Sequence, residues 1–259
     1  MLARCGIDLD KGIGDNASMT ITAEALPILS DNYAWLLRGT DGHVAVVDPA
    51  DADAVIAAVE KNGGRLDTVL ITHHHDDHIA GVDAVRARFG ARVVGATADA
   101  HRLPRLDQAV KEGDSVALGE TSARVIDTPG HTIGHISFHI PDGGVLLCAD
   151  TLFSLGCGRL LEGTAADMFG SLQKLAALPP DTLVCCGHEY TQSNARFALT
   201  ADPGNEALRA RAADVDRLRA RNQPTVPSRL ADEKAENPFL RAANAAALAD
   251  LRTAKDNFR

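Results

Sequence analysis

The chain has 259 residues, 45% of them hydrophobic, and a formal net charge of −9. That apolar fraction builds a large core without covalent staples, while the acidic balance argues against a nucleic-acid partner, which requires a basic surface, and means that an anionic substrate needs a local basic cluster. Five cysteines, Cys5, Cys148, Cys157, Cys185 and Cys186, are odd in number and lack C-x-x-C spacing, so a reducing, cytoplasmic setting is expected in place of a disulfide scaffold.

Residues 1–18, MLARCGIDLDKGIGDNAS, carry Asp8, Asp10, Asp15 and several glycines. They suit neither a signal nor a transit peptide and read as a loose extension before Met19. From Ile21 onward ITAEAL, YAWLL and HVAVVD read as strands, ADAVIAAVEKNG as a helix, TVLIT as a strand and IAGVDAVRARFG as a helix. After Val93, ARVIDTPGH, HISFHI and GVLLCAD read as strands broken by Pro-Gly and Asp-Gly-Gly turns. A helix around Ala165 to Leu178 and the strand TLVCCG follow. This α/β pattern predicts two sheets packed face to face beneath helices. From Glu189 the composition shifts to Ala, Arg, Leu and Asp with no strand-like alternation. The expectation is a catalytic domain over 19–188 and a small helical domain over 189–259. No run approaches the roughly 18 apolar residues that span a bilayer.

The strongest signal is Thr72-His73-His74-His75-Asp76-Asp77-His78, directly after the strand TVLIT. His73 and His75, two apart on an extended segment, project to one side and can grip one ion, while Asp77 and His78 open the next helix and can face another. A charged solvent loop accounts for one histidine, not for four in six residues. Imidazole and carboxylate without thiolate suit zinc, iron or manganese.

Three more residues end strands in the same manner: His131 after VIDTPG, Asp150 after GVLLCA and His188 after LVCCG. Taken singly, each reads as structural; with the loop in view, they read as ligands converging on one rim. The assignment gives His73, His75 and His131 to a first ion, Asp77, His78 and His188 to a second, and Asp150 to the bridge. His74 should point away, and Asp48 should fix the loop. His43, His101, His135 and His139 read as ordinary surface or core residues, and Cys157, Cys185 and Cys186 as buried packing. Two divalent ions about 3.5 to 4 Å apart can share a water and lower its pKa to about 7, so hydroxide attacks a carbonyl or phosphoryl centre at neutral pH. Asp77 could orient that nucleophile. A thioester suits this chemistry, because a thiolate with a conjugate-acid pKa of about 8.5 leaves without a strong general acid.

The THHHDDH loop, PGHT at 129–132, Asp150 before Thr151 and GHEYT at 187–191 resemble the metallo-β-lactamase superfamily. LSDNYAWLL, ADTLFSLGCGRLLEGTAADM, GHEYTQSNARFA, NPFLR and the terminal RTAKDNF resemble, more closely, its hydroxyacylglutathione hydrolases, the glyoxalase II enzymes. The resemblance implies an αββα sandwich with a helical substrate domain, a dinuclear site built from the seven ligands above, most readily zinc, and hydrolysis of S-D-lactoylglutathione to D-lactate and glutathione. It further implies that Arg159, Tyr190, Arg252 and Lys255 contact glutathione. Leu161 departs from the pattern, standing where relatives often carry an aromatic residue. A monomer acting on a small molecule, with neither nucleic acid nor membrane as partner, is the expected form. The rival readings are an iron-dependent persulfide dioxygenase, another hydrolase of the superfamily, and a binding module whose metals only stabilise the fold.

Overall fold

A computed structural model describes residues 20–258 of the chain; the expected N-terminal extension lies outside them. β1 (Ile21–Ile28) and β2 (Asn32–Gly39) form an antiparallel hairpin, and β3 (Val44–Val47) continues it antiparallel. Next come α1 (Ala52–Lys61), β4 (Thr68–Leu70), α2 (Asp76–Ile79), α3 (Val82–Phe89) and β5 (Arg92–Ala96), then β6 (Gln108–Val110). β3 to β6 run parallel, and the first sheet has the order β1-β2-β3-β4-β5-β6.

The first sheet is covered on both faces. Val46, Val69 and Val93 pack outward against Val55 and Val59 of α1 and Val85 of α3, while Val47, Leu70 and Val94 face the other sheet. Burial on both sides is why these strands are continuous apolar runs and not alternating ones. Asp51 caps α1 by accepting from the Ala54 amide at 3.0 Å.

The second half supplies β7 (Ser115–Leu118), β8 (Thr121–Asp127), β9 (Ile136–Ile140) and β10 (Val145–Ala149). A small ribbon of β11 (Leu152–Phe153) and β12 (Gly156–Cys157) follows, then α4 (Ala165–Ala176) and β13 (Leu183–Cys186). Val125, Phe138 and Leu147 of this sheet share one buried cluster with Leu37 and Leu70 of the first, and Met168, Leu172 and Leu175 of α4 join it. Thr164 and Asp167 close a reciprocal capping box at the start of α4.

The C-terminal region holds α5 (Thr191–Ala201), α6 (Glu206–Arg219), α7 (Leu230–Glu236) and α8 (Ala245–Asp256). It is not purely helical as expected. β14 (Ser228–Arg229) pairs antiparallel with β13 at the edge of the second sheet, whose order is β14-β13-β10-β9-β8-β7. Two residues after PTVP are too short a run to show alternation, so pattern reading passes over them. The region is also pinned by Arg211, which bonds Glu233 at 2.6 Å, Glu236 at 2.9 Å and Ser154 at 2.8 Å. No helix among the described residues is long and apolar enough to cross a membrane.

The rims of the two sheets are joined by backbone. Tyr33 N donates to Gly187 O and Glu189 N to Asp31 O, both at 2.8 Å, and on the other flank Ile136 N donates to Thr72 O at 3.0 Å. These bonds bring the ends of β2, β4 and β13 to one edge.

Candidate metal centre

The loop after β4 is set by one carboxylate. Asp48, buried and in the left-handed region at φ 51°, accepts from the Thr72 amide at 2.9 Å, from the Thr72 hydroxyl at 2.7 Å and from His78 Nδ1 at 3.0 Å. It therefore fixes the loop, as expected, and orients a histidine as well.

The hydrogen bonds decide which ring nitrogens are bare. The Thr72 hydroxyl spends its proton on Asp48, so it must accept from His73 Nδ1, 3.0 Å away; His73 Nε2 then carries a lone pair. His131 Nδ1 donates to Arg159 O at 2.9 Å, which leaves its Nε2 bare. Both bare nitrogens face His75 Nδ1, at 3.1 and 3.0 Å. One nitrogen cannot donate to two lone pairs, and three converging imidazoles of this kind are a ligand set in want of a cation.

A second set lies alongside. His188 Nδ1 donates to Asp31 Oδ1 at 2.9 Å, leaving Nε2 at 3.5 Å from Asp77 Oδ2, while His78 Nε2 lies 3.8 Å from the same oxygen. Asp150 touches both sets: its Oδ2 is 3.5 Å from His131 Nε2 and 3.3 Å from His188 Nε2, and its Oδ1 is 3.5 Å from His78 Nε2. His78 Nε2 and Asp150 Oδ1 are buried without a hydrogen-bond partner. Orphaned buried acceptors are costly, and divalent cations satisfy them. The residues therefore fit two ions, and Asp150 lies between the two sets.

Backbone strain and one glycine deliver Asp150. The register between β10 and β13 slips between Leu147 and Ala149, and Ala149 takes φ 36°, turning the next side chain off the strand line. A β-carbon at Gly187 would collide with Asp150 Oδ1 and come within 2.9 Å of His78 Cε1. Only glycine lets β13 end this close to the ligands.

The electrostatics agree. Burial opposes charge on His78, but the carboxylates of Asp150 and Asp48 outweigh it and lift the group to about 9. Burial likewise opposes charge on Asp150, yet His78 and His188 hold its carboxyl well below the usual range. His73 is pushed down by burial and by the imidazoles around it. Positive charge is wanted at the Asp150 side of the cluster and refused at His73.

His74 points out of the centre, as expected, to Asp99 Oδ2 at 3.1 Å. His135 is core, as expected. It is buried with its ring stacked 4.7 Å from that of His73, and its Nδ1 lies 2.9 Å from the Thr128 hydroxyl. Asp31 and Asn32 also reach ligands, and their only sequence signal is the LSDNY run. Of the described cysteines, Cys148, Cys157, Cys185 and Cys186 are free and buried.

A cavity of about 410 Å³ opens beside the centre, lined by His131, Asp150, Phe153, Tyr190, Lys255 and Phe258 among others. The Tyr190 ring stacks on His188, centroids 4.6 Å apart and planes 6° from parallel. Lys255 Nζ donates to Ser193 O at 3.0 Å and Oγ at 2.9 Å; burial, with Arg252 and Arg159 nearby, lowers it to about 8. The Arg159 side chain is largely exposed and lies 3.8 Å from Asp256. Arg252 is 6% exposed and its guanidinium is engaged, donating to Cys157 O at 2.8 Å and to Asp256 at 3.0 Å. Leu161 is 59% exposed.

Residues 29–188 match the model of the metallo-beta-lactamase superfamily, and residues 189–258 match that of the hydroxyacylglutathione hydrolase C-terminus. The hydroxyacylglutathione hydrolase of Acidiphilium cryptum (strain JF-5) is 60% identical over 237 residues, covering 92% of this chain and 97% of that protein. Among solved structures, ETHE1 from Myxococcus xanthus aligns with a TM-score of 0.69 at 25% identity over 92% of each chain. TTHA1623 in a di-iron-bound form aligns with a TM-score of 0.57 at 26% identity, over 64% of this chain and 91% of that one. With two sheets packed under helices, two adjoining ligand sets and a helical C-terminal region matched in turn, the chain belongs to the hydroxyacylglutathione hydrolase family of the metallo-β-lactamase superfamily.

Proposed function

We propose that this chain hydrolyses S-2-hydroxyacylglutathiones, S-D-lactoylglutathione above all, to the hydroxy acid and glutathione. The observation that carries the reading is the pair of imidazole and carboxylate sets joined at Asp150 beside a cavity with a cationic far end. Relatives at 50 to 60% identity bearing the hydrolase name support it over a persulfide dioxygenase. His73, His75 and His131 would hold one ion, Asp77, His78 and His188 the other, and Asp150 would serve both, with zinc the proposed occupant.

Two such ions, when bound, would supply a Lewis acid for the thioester oxygen and a source of hydroxide at neutral pH. The chain's own groups do the rest. Asp77 is held by the Asn32 amide at 3.0 Å and accepts a hydrogen bond from the attacking water, which aims it. Tyr190 and Phe153, 5.3 Å apart by ring centroids, wall the reacting end and limit bulk water there. Burial and the carboxylates of Asp31, Asp150 and Asp77 push the Tyr190 phenol up to about 12, so it stays neutral. Lys255 and Arg159 attract the anionic end of the tripeptide, and that local charge offsets the net −9 of the chain. The leaving thiolate needs no general acid. Residues 19–188 form the catalytic unit in this account, and 189–259 the substrate-binding unit.

The test is thioester absorbance loss with purified, metal-loaded protein and S-D-lactoylglutathione. Turnover that disappears on chelation is expected; full metal content with no turnover on this or related glutathione thioesters overturns the proposal.

A further inference from the structure

Three successive residues at the start of β2 meet the end of β13. Their backbones pair through the isolated bridge Asn32 to His188 and the two bonds Tyr33 N to Gly187 O and Glu189 N to Asp31 O. Their side chains then divide the work. Asp31 Oδ1 accepts from His188 Nδ1 at 2.9 Å. Asn32 Nδ2 donates to Asp77 Oδ2 and to Asp77 O, both at 3.0 Å. Tyr33 Oη donates to Glu189 Oε2 at 2.8 Å, and Glu189 also takes the Thr225 amide at 2.9 Å, which anchors the strand to the C-terminal region.

We infer that Asp31 and Asn32 are positioning residues dedicated to the second ion, which makes its affinity separable from that of the first. The inference rests on the two-ion reading of the site. His73 and His131, in the first set, are oriented by a threonine hydroxyl and a backbone carbonyl, and neither Asp31 nor Asn32 touches that set. In the second set His188 is oriented by a carboxylate whose side chain is 42% exposed, and Asp77 by an amide 5% exposed. A carboxylate behind a ligating imidazole fixes its tautomer and raises its basicity, and removal of such a partner costs metal affinity about 10- to 100-fold. That loss falls on one ion alone, because among the described residues the candidate ligands that these two hold are His188 and Asp77. Asn32 also holds Asp77, the residue to which the attacking water is assigned, so it ties ion affinity to the aim of the nucleophile.

The experiment is zinc competition against a chromophoric chelator, without thioester, on the metal-free wild type and the variants Asp31→Ala, Asp31→Asn and Asn32→Ala. Two binding constants are fitted, and thermal melting of the metal-free proteins is followed in parallel. The expected result is a weakening of one constant by about 10- to 100-fold in Asp31→Ala and Asn32→Ala. A smaller loss is expected in Asp31→Asn, which keeps an acceptor oxygen, with the other constant unchanged throughout; metal-free melting should hold in the Asp31 variants and fall in Asn32→Ala, whose buried amide also pairs Asp77 O. Equal weakening of both constants, or neither, overturns the inference. Since no substrate is present, a protein inactive on S-D-lactoylglutathione leaves it standing, and equal weakening leaves the hydrolase reading standing.

Discussion

The His78 imidazole donates through Nδ1 to Asp48 Oδ2 at 3.0 Å. That bond turns Nε2 toward Asp150 and Asp77 and links the end of β3 to the ligand loop after β4. Asp48 takes three hydrogen bonds in all and is 3% exposed. Asp48→Ala leaves a buried amide, hydroxyl and imidazole unpaired at a left-handed backbone position, at a cost of roughly 3 to 5 kcal/mol. The expected outcome is a lower denaturant midpoint together with weaker metal binding. A midpoint equal to wild type would show that the loop is fixed by other means.

Lys255 gives the pH dependence. Its ammonium is charged below about 8 and loses its charge as pH rises through that value. KM for the thioester should therefore climb above pH 8 while kcat holds, and Lys255→Ala should raise KM at pH 7 and flatten the climb, since the group binds a remote part of the substrate. Steady-state kinetics from pH 6.5 to 9 check this, and a kcat inflection in place of the KM one would put Lys255 in the chemistry.

Arg252 behaves differently despite its place in the same terminal motif. Its guanidinium is spent on Cys157 O and Asp256, and it lies over the Phe239 ring at 5.3 Å. Arg252→Ala should cost about 1 to 3 kcal/mol, the price of leaving the Cys157 carbonyl buried and unpaired. Equilibrium urea unfolding measures the loss; a raised KM at unchanged stability would instead assign Arg252 to the substrate.

Arg211 is the buried cation of the C-terminal region, its side chain 15% exposed between Glu233 and Glu236. Arg211→Ala strands the fully buried Glu233 and should destabilise by roughly 3 to 5 kcal/mol, whereas Arg211→Ala with Glu233→Gln should recover part of that. Unfolding midpoints of the single and double variants decide it; equal losses in both would mean that the pair is not coupled.

Strands and the candidate ligands that end them were legible in the sequence for the same reason. An apolar run such as GVLLCAD or TLVCCG is a strand covered on both faces, and a polar residue at its end has a rim to go to, so Asp150 and His188 announce themselves. β14 was not legible, because two residues carry no period and only pairing with β13 defines them. Asp31 and Asn32 were passed over because Asp-Asn between strands reads as turn chemistry; their hydrogen bonds to His188 and Asp77 span 157 and 45 positions and depend on the sheets meeting. The engagement of Arg252 with Cys157 O was hidden too, since charge alone does not say whether a cation faces solvent, substrate or a carbonyl.

Hydrolysis of S-D-lactoylglutathione as zinc is added back stepwise to metal-free protein tests the convergence of the seven ligands most directly. The account predicts no turnover without metal, a rise that levels off at two equivalents in the wild type, and no recovery in Asp150→Ala or His75→Ala. Turnover in the metal-free protein, or a near-wild-type rate in either variant at matched metal content, would contradict it.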